Sequence, residues 1–214
     1  MNAIELLGNV GGRLSCSLTD RREPYDCLTA AIPTKEKPMS NPLDDLRRDP
    51  NGTAHAAADR IRQLTGVERH DLAVVFGSGW GPAADGLGAP AAECQFTDLP
   101  GFVAPTVEGH AGKLRSIQVG SHRVLAWLGR SHRYEFDVGS GMEPIVHAIR
   151  TSFGVECRTV ILTNAVGGLH PDFTVGQAVM ISDHNDLITT APSPLQGPRF
   201  LECNMVYDPR LRRI

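Results

Sequence analysis

The sequence predicts an α/β protein in which a mixed central β-sheet is flanked by helices. Two patterns carry that prediction. Short apolar, β-forming runs (Leu72 to Phe76, Val124 to Leu128 and Thr159 to Leu162) alternate with segments whose apolar residues recur at helical spacing. Lys113 to Val119 and His122 to Leu128 are separated only by Gly120-Ser121, which reads as a hairpin and makes the sheet mixed rather than wholly parallel. The 214 residues suffice to bury a core, and 41% hydrophobic with 21% charged residues is ordinary for a globular chain.

Residues 1–40 mix Gly, Ser, Thr and Pro with scattered charge and no sustained period, so they are expected to form a poorly ordered extension. Met39 stands where the patterned sequence starts and is a candidate natural beginning. The folded domain is expected over 41–214. Thr53 to Leu64 reads as a helix capped by Asn51 or Thr53 and closed by Gly66. Leu72 to Phe76 is a buried strand, followed by the Gly77-Ser78-Gly79 turn and a short helix from Pro82 towards Leu87 that stops at Gly88. Asp98 to Gly112, with three glycines and two prolines, is a long loop of the kind that often carries function. After the hairpin, Ser140 and Glu143 have capping-box spacing before a helix reaching Phe153, with Pro144 in its first turn and Gly154 ending it. Cys157 to Leu162 and Ala178 to Ser182 are further strands. Asp208 and Pro209 open a last helix that is cut in mid-element at Ile214.

The formal net charge of -3 lacks the basic excess of non-specific nucleic-acid binders, so no nucleic-acid partner is expected. No apolar run approaches a membrane span, and no secretory leader is read at the amino terminus. Five cysteines without close pairs suit neither a disulfide framework nor a zinc site, and fit a cytoplasmic location.

Three loops follow the apolar runs: Gly77-Ser78-Gly79-Trp80, Gly129 to Tyr134, and Thr163 to Gly168. The carboxyl edge of an open α/β sheet is where ligands collect. A phosphate anion there needs donors on most of its oxygens, because a buried unpaired charge is costly. Arg130 offers a planar fork, Ser78 a hydroxyl in a loop whose glycines let the backbone come close, His110 and His132 ring donors, and Ala165 a backbone N–H. Each residue has an ordinary reading as well: a plain strand-to-helix turn, a surface salt bridge, a satisfied core histidine. Their joint occurrence at three strand ends favours a phosphate pocket.

Gly77-Ser78-Gly79, Glu108 to Gly112, Gly129 to Glu135, Thr163 to Leu169 and Asp183-His184 together resemble the trimeric purine nucleoside phosphorylase family, closest to its bacterial members, from about Leu43 to Ile214. The resemblance implies a nucleoside phosphorylase-like fold lacking its carboxyl-terminal part. It implies a phosphate site of Ser78, His110, Arg130, Ser131, His132 and the N–H of Ala165, with His110 and His132 as catalytic groups. It also implies that Tyr134 faces the ribose, and that Phe200 reaches a neighbouring subunit's ribose pocket in a homotrimer. The implied reaction is phosphorolysis of a purine nucleoside to free base and ribose 1-phosphate, with inorganic phosphate as substrate and no metal or organic cofactor.

Some features depart from that pattern. The groups with which the family recognises its purine have no counterpart before Ile214, so the base pocket, and strands of the sheet with it, are expected to be missing, leaving an unpaired edge. Phe136 and Val166 stand where that family has smaller residues. Competing readings are a methylthioadenosine or methylthioinosine phosphorylase, a fragment retaining only the phosphate site, and a dinucleotide-binding domain. The last lacks the full glycine fingerprint and the acidic ribose partner.

Overall fold

The structure, a computed structural model, describes residues 2–7, 41–107, 110–136, 141–185, 187 and 206–213. Seven strands form one sheet: β1 (Asn2–Leu7), β2 (Leu72–Phe76), β3 (Pro90–Gln95), β4 (Lys113–Val119), β5 (His122–Leu128), β6 (Thr159–Ala165) and β7 (Ala178–Met180), in the order β3-β4-β5-β2-β6-β1-β7. The hairpin β4–β5 is antiparallel from Lys113↔Leu128 to Val119↔His122, whereas β2 runs parallel to both β5 and β6. The sheet is therefore mixed, and its centre is the parallel trio β5-β2-β6.

Helices α1 (Pro42–Arg48), α2 (Pro50–Thr65) and α3 (Glu143–Gly154) complete the described regular structure, with 3-10 turns at Gly81–Leu87, Phe96–Asp98, Arg133–Glu135 and Leu211–Arg213. Helix α2 begins earlier than Asn51 or Thr53 would allow. Its cap is Asp49, whose side chain accepts from the Gly52 N–H at 2.8 Å, and Pro50 fills the first helical position where no N–H is needed. Gly66 ends it in the left-handed conformation, as its position predicts. At α3 the expected capping box is not found: the cap position is Met142 with no side-chain hydrogen bond, Glu143 pairs with Arg150 instead, and Ser140 lies outside the described residues. The Asp208 carboxylate accepts from the Arg210 N–H at 2.8 Å, as a helix start would require, but the turn that follows is 3-10.

The period of two in β2 sends Ala73 and Val75 to one side of the sheet and Val74 and Phe76 to the other. The first side packs Ala57, Ala58 and Ile61 of α2 against Leu125, Trp127 and Val160. Phe96, Phe102 and Trp127 meet there with ring centroids 5.1–5.6 Å apart, and the buried indole N–H donates to Ser152 Oγ at 2.9 Å. The second side is closed by Ala84 of the Gly81–Leu87 turn against Ile117, Val124 and Ala126. Covering both faces leaves the strand ends, not the sheet surfaces, as the place for a site.

Of the expected extension, Asn2–Leu7 forms β1 and residues 8–40 lie outside the described residues. β1 pairs antiparallel with β6 (Asn2↔Ala165 to Leu7↔Val160) and parallel with β7. The two outer strands of the described sheet are β3 and β7, and β1 separates β6 from β7.

Candidate functional site

Parallel pairing in register carries the ends of β2, β5 and β6 to the same edge: Phe76 lies opposite Leu128, and Val75 opposite Leu162. The loops that leave these strands are stitched together at once. Gly77 N–H donates to Thr163 Oγ1 at 3.0 Å, while that hydroxyl donates to the Val75 carbonyl at 3.0 Å. Trp80 Nε1 donates to the Asn164 carbonyl at 3.0 Å, and Gly129 N–H to the Phe76 carbonyl at 3.0 Å. Gly77 is required by this close approach, because a Cβ there would stand 2.2 Å from the Thr163 carbonyl oxygen. Gly129 has φ +117°, and a Cβ would press on His110 at 2.9 Å.

The loop before β4 brings in His110. Its Nδ1 sits 3.0 Å from the carbonyl oxygen and 3.2 Å from the amide nitrogen of Arg130. The carbonyl holds the ring when Nδ1 carries a proton and the amide holds it when Nδ1 does not, so Nε2 is turned to Ser78 Oγ, at 3.4 Å, in both tautomers. Burial lowers the pKa of His110, and the charges of His132 and Arg130 push the same way; the Arg130 carbonyl and Glu135 oppose them without prevailing. The ring is neutral at neutral pH.

His110, His132 and Tyr134 form a staircase of rings, with centroids 5.0 and 5.1 Å apart and interplanar angles of 27° and 16°. Tyr134, 73% exposed, is its outer step. The Arg130 backbone carries the contacts to His110, and its side chain is half-buried. Arg130, Ser131, His132 and Arg133 also line a cavity of about 250 Å³ whose floor is Val75, Leu162, Ile145 and Ile149.

The structure thus brings Ser78, His110, Arg130, Ser131 and His132 to one edge, sets Tyr134 at its rim, and places Ala165 at the end of β6 beside the Gly77–Trp80 turn. Phe200 lies outside the described residues. Glu135 received no role in the sequence reading, although its i, i+3 spacing from His132 was the available signal. Its Oε1 accepts from the His132 N–H at 2.7 Å and lies 3.0 Å from His132 Nδ1; its Oε2 accepts from Thr106 N–H at 2.8 Å and Thr106 Oγ1 at 2.7 Å. The carboxylate is only 4% exposed. Burial works against its charge, but these four contacts outweigh burial and hold its pKa below the usual carboxylate range. An ionised Glu135 favours the His132 tautomer whose Nδ1 donates to it.

A serine hydroxyl, two imidazoles and an arginine gather at the ends of parallel strands in an α/β protein, and the edge of such a sheet is where ligands collect. The chain belongs to the phosphorylase superfamily, whose family model matches residues 71–214. Among curated relatives it is similar to the purine nucleoside phosphorylase of Cellulomonas sp, 48% identical over 186 residues, covering 85% of this chain and 64% of that protein. The purine nucleoside phosphorylase of Mycobacterium tuberculosis is 47% identical over 172 residues, covering 80% and 62%. Purine nucleoside phosphorylase 1 of Bacillus subtilis is 34% identical over 163 residues, covering 70% and 58%. The solved structure of Schistosoma mansoni purine nucleoside phosphorylase in complex with inosine aligns with a TM-score of 0.49 and 26% identity over 58% of this chain and 42% of that one. The chain spans less than two thirds of the length of these relatives. Among the described residues, no helix is long and apolar enough to cross a membrane.

Proposed function

We propose that the edge formed by Ser78, His110, Arg130, Ser131, His132 and the Ala165 N–H receives inorganic phosphate, and that the reaction it serves is phosphorolysis of purine nucleosides. A phosphate oxygen attacks the anomeric carbon of the ribose as the bond to the purine nitrogen breaks. The base leaves and takes a proton, and ribose 1-phosphate forms. The departing bond puts positive charge on the sugar, and a phosphate held beneath it is both nucleophile and counter-charge. Arg130 supplies the permanent charge. His110 and His132 present Nε2 to phosphate oxygens, as donor or as acceptor according to the anion's protonation, and are the catalytic residues in this reading. Tyr134, stacked on His132 at the rim, meets the ribose in this reading.

The single observation that carries the reading is the meeting of Ser78 and His110, from separate loops, against the backbone of Arg130 in a third. The purine nucleoside phosphorylase relatives support the reaction and favour it over a methylthioadenosine activity. A cytoplasmic homotrimer, with Phe200 completing a neighbour's ribose pocket, belongs to the same proposal and rests on the family resemblance. Because the chain spans 64% of its Cellulomonas relative, a second reading is kept: a phosphate-binding unit whose base contacts come from sequence outside it. Calorimetric titration with phosphate, beside a coupled assay of inosine cleavage, separates the two. Saturable phosphate binding abolished by Arg130→Ala, with turnover, supports the full proposal; binding without turnover supports the second reading. No binding overturns both.

A further inference from the structure

The two loops that carry the site's histidines leave the same end of the β4–β5 hairpin, where Lys113 pairs with Leu128. One loop ends in His110 and the other holds His132. They share a carboxylate: Glu135 takes donors from its own loop through Oε1 and from the His110 loop through Oε2, the second pair both supplied by Thr106. Thr106 is exposed, in a segment without regular structure, and touches neither Ser78, His110, Arg130 nor His132 through any described hydrogen bond.

We propose that Thr106 is a positioning residue for the oxyanion site: its hydroxyl and amide clamp Glu135 in the rotamer that orients the His132 ring, and so lock the two histidine-bearing loops in register. This deepens the phosphate reading and rests on it. The backbone N–H alone cannot replace the pair, because an ionised oxygen facing both donors gains a second charge-assisted bond from the hydroxyl. Without that bond Glu135 Oε2 keeps only the backbone amide of residue 106 and shares its remaining lone pairs with water. The Glu135–His132 contact is then fixed on one side only, and the imidazole shares its proton between both ring nitrogens. Serine retains the hydroxyl and valine retains the shape, so the pair of variants separates bonding from packing.

The test uses the full chain and two readouts. Phosphate titration of Thr106→Val should show binding roughly three- to tenfold weaker, the loss of one charge-assisted hydrogen bond shared with water. Thr106→Ser should restore it. Nitrogen-15 imidazole spectra should show His132 protonated at Nδ1 in the parent and in Thr106→Ser, but as a tautomer mixture in Thr106→Val, with the buried His147 ring unchanged. In a double-mutant cycle, Thr106→Val should add nothing to Glu135→Leu, which has no oxygen to accept from Thr106. If the parent binds no phosphate, the phosphate reading fails, and the imidazole spectra still decide whether Thr106 orients His132. Unchanged spectra in Thr106→Val, or full additivity in the cycle, overturn the proposal. Should Thr106→Val not fold, Glu135→Gln alone must scramble the His132 tautomer, and its failure to do so is equally fatal.

Discussion

Gly77→Ala adds one methyl group where β2 and β6 deliver their loops. The new Cβ would stand 2.2 Å from the Thr163 carbonyl oxygen and 3.2 Å from its carbon, both backbone atoms. Ordinary contact needs about 3.4 Å, so the two strand ends must part by about 1.2 Å. No side chain can swing away to absorb that displacement. Gly77 N–H and Thr163 Oγ1, now 3.0 Å apart, lose their bond, and Trp80 Nε1 is drawn from Asn164. Overpacking of this kind costs about 1–3 kcal/mol. For a chain of this size each kcal/mol lowers the thermal midpoint by about 2–4 °C. The functional loss should exceed the stability loss, because a displacement of about 1 Å in a positioning contact can cost on the order of 100-fold. Thermal unfolding followed by circular dichroism, together with phosphate titration at a temperature where the variant is folded, gives both numbers. A Gly77→Ala protein with the parent's midpoint and phosphate affinity would refute the claim that close approach of β2 and β6 builds this edge.

Two further predictions concern the scaffold. His70 and His147 are wholly buried, and burial, the largest cause for each, lowers both pKa values to about 4 from 6.5. Unfolding lets the rings take protons that the folded chain refuses, so their contribution is complete above about pH 6.5 and is lost as pH falls towards 4, by about 1–3 kcal/mol per ring. Urea midpoints should therefore drop between pH 7 and pH 5, and His70→Gln should flatten the slope; equal slopes for parent and variant would exclude this origin. Asp49→Ala removes the side-chain cap of α2 and should cost about 0.5–2 kcal/mol by the same urea measurement, with Asp49→Asn close to the parent.

What the sequence discloses depends on how local the cause is. The hairpin around Gly120-Ser121 was legible because both strands and their turn are contiguous. β3 escaped notice because Pro90–Gln95 is mostly exposed and, Cys94 apart, built from Pro, Ala, Glu and Gln; it exists because β4 offers it a partner. The start of α2 was misplaced although Asp49-Pro50 is a strong start signal, since Asn51 and Thr53 competed with it. At the site, residue types and strand-end positions pointed to Ser78, Arg130 and the histidines. The role of Glu135 was hidden because its second set of donors comes from Thr106, 29 residues away on the other side of the β4–β5 hairpin. β1 was unreadable for a related reason: its partner strand lies at the far end of the chain, and six residues carry too little pattern to announce a pairing.

That ladder ties Asn2 to Ala165, so the segment that forms β1 must wait for β6, far along the sequence, to be made. At translation speeds of about 5–20 residues per second, the delay is on the order of ten to thirty seconds. Meanwhile the hairpin can close as soon as it clears the ribosome, whereas β6 must find β1 and β2, both made well before it. A nascent chain stalled before Thr159 would hold an idle leading segment, free to be captured by a chaperone or by a neighbouring polypeptide in the polysome. Cargo joined just ahead of Asn2 would hang beside Ala165, whereas a tag on the Gly120-Ser121 turn would sit at the opposite end of the strands.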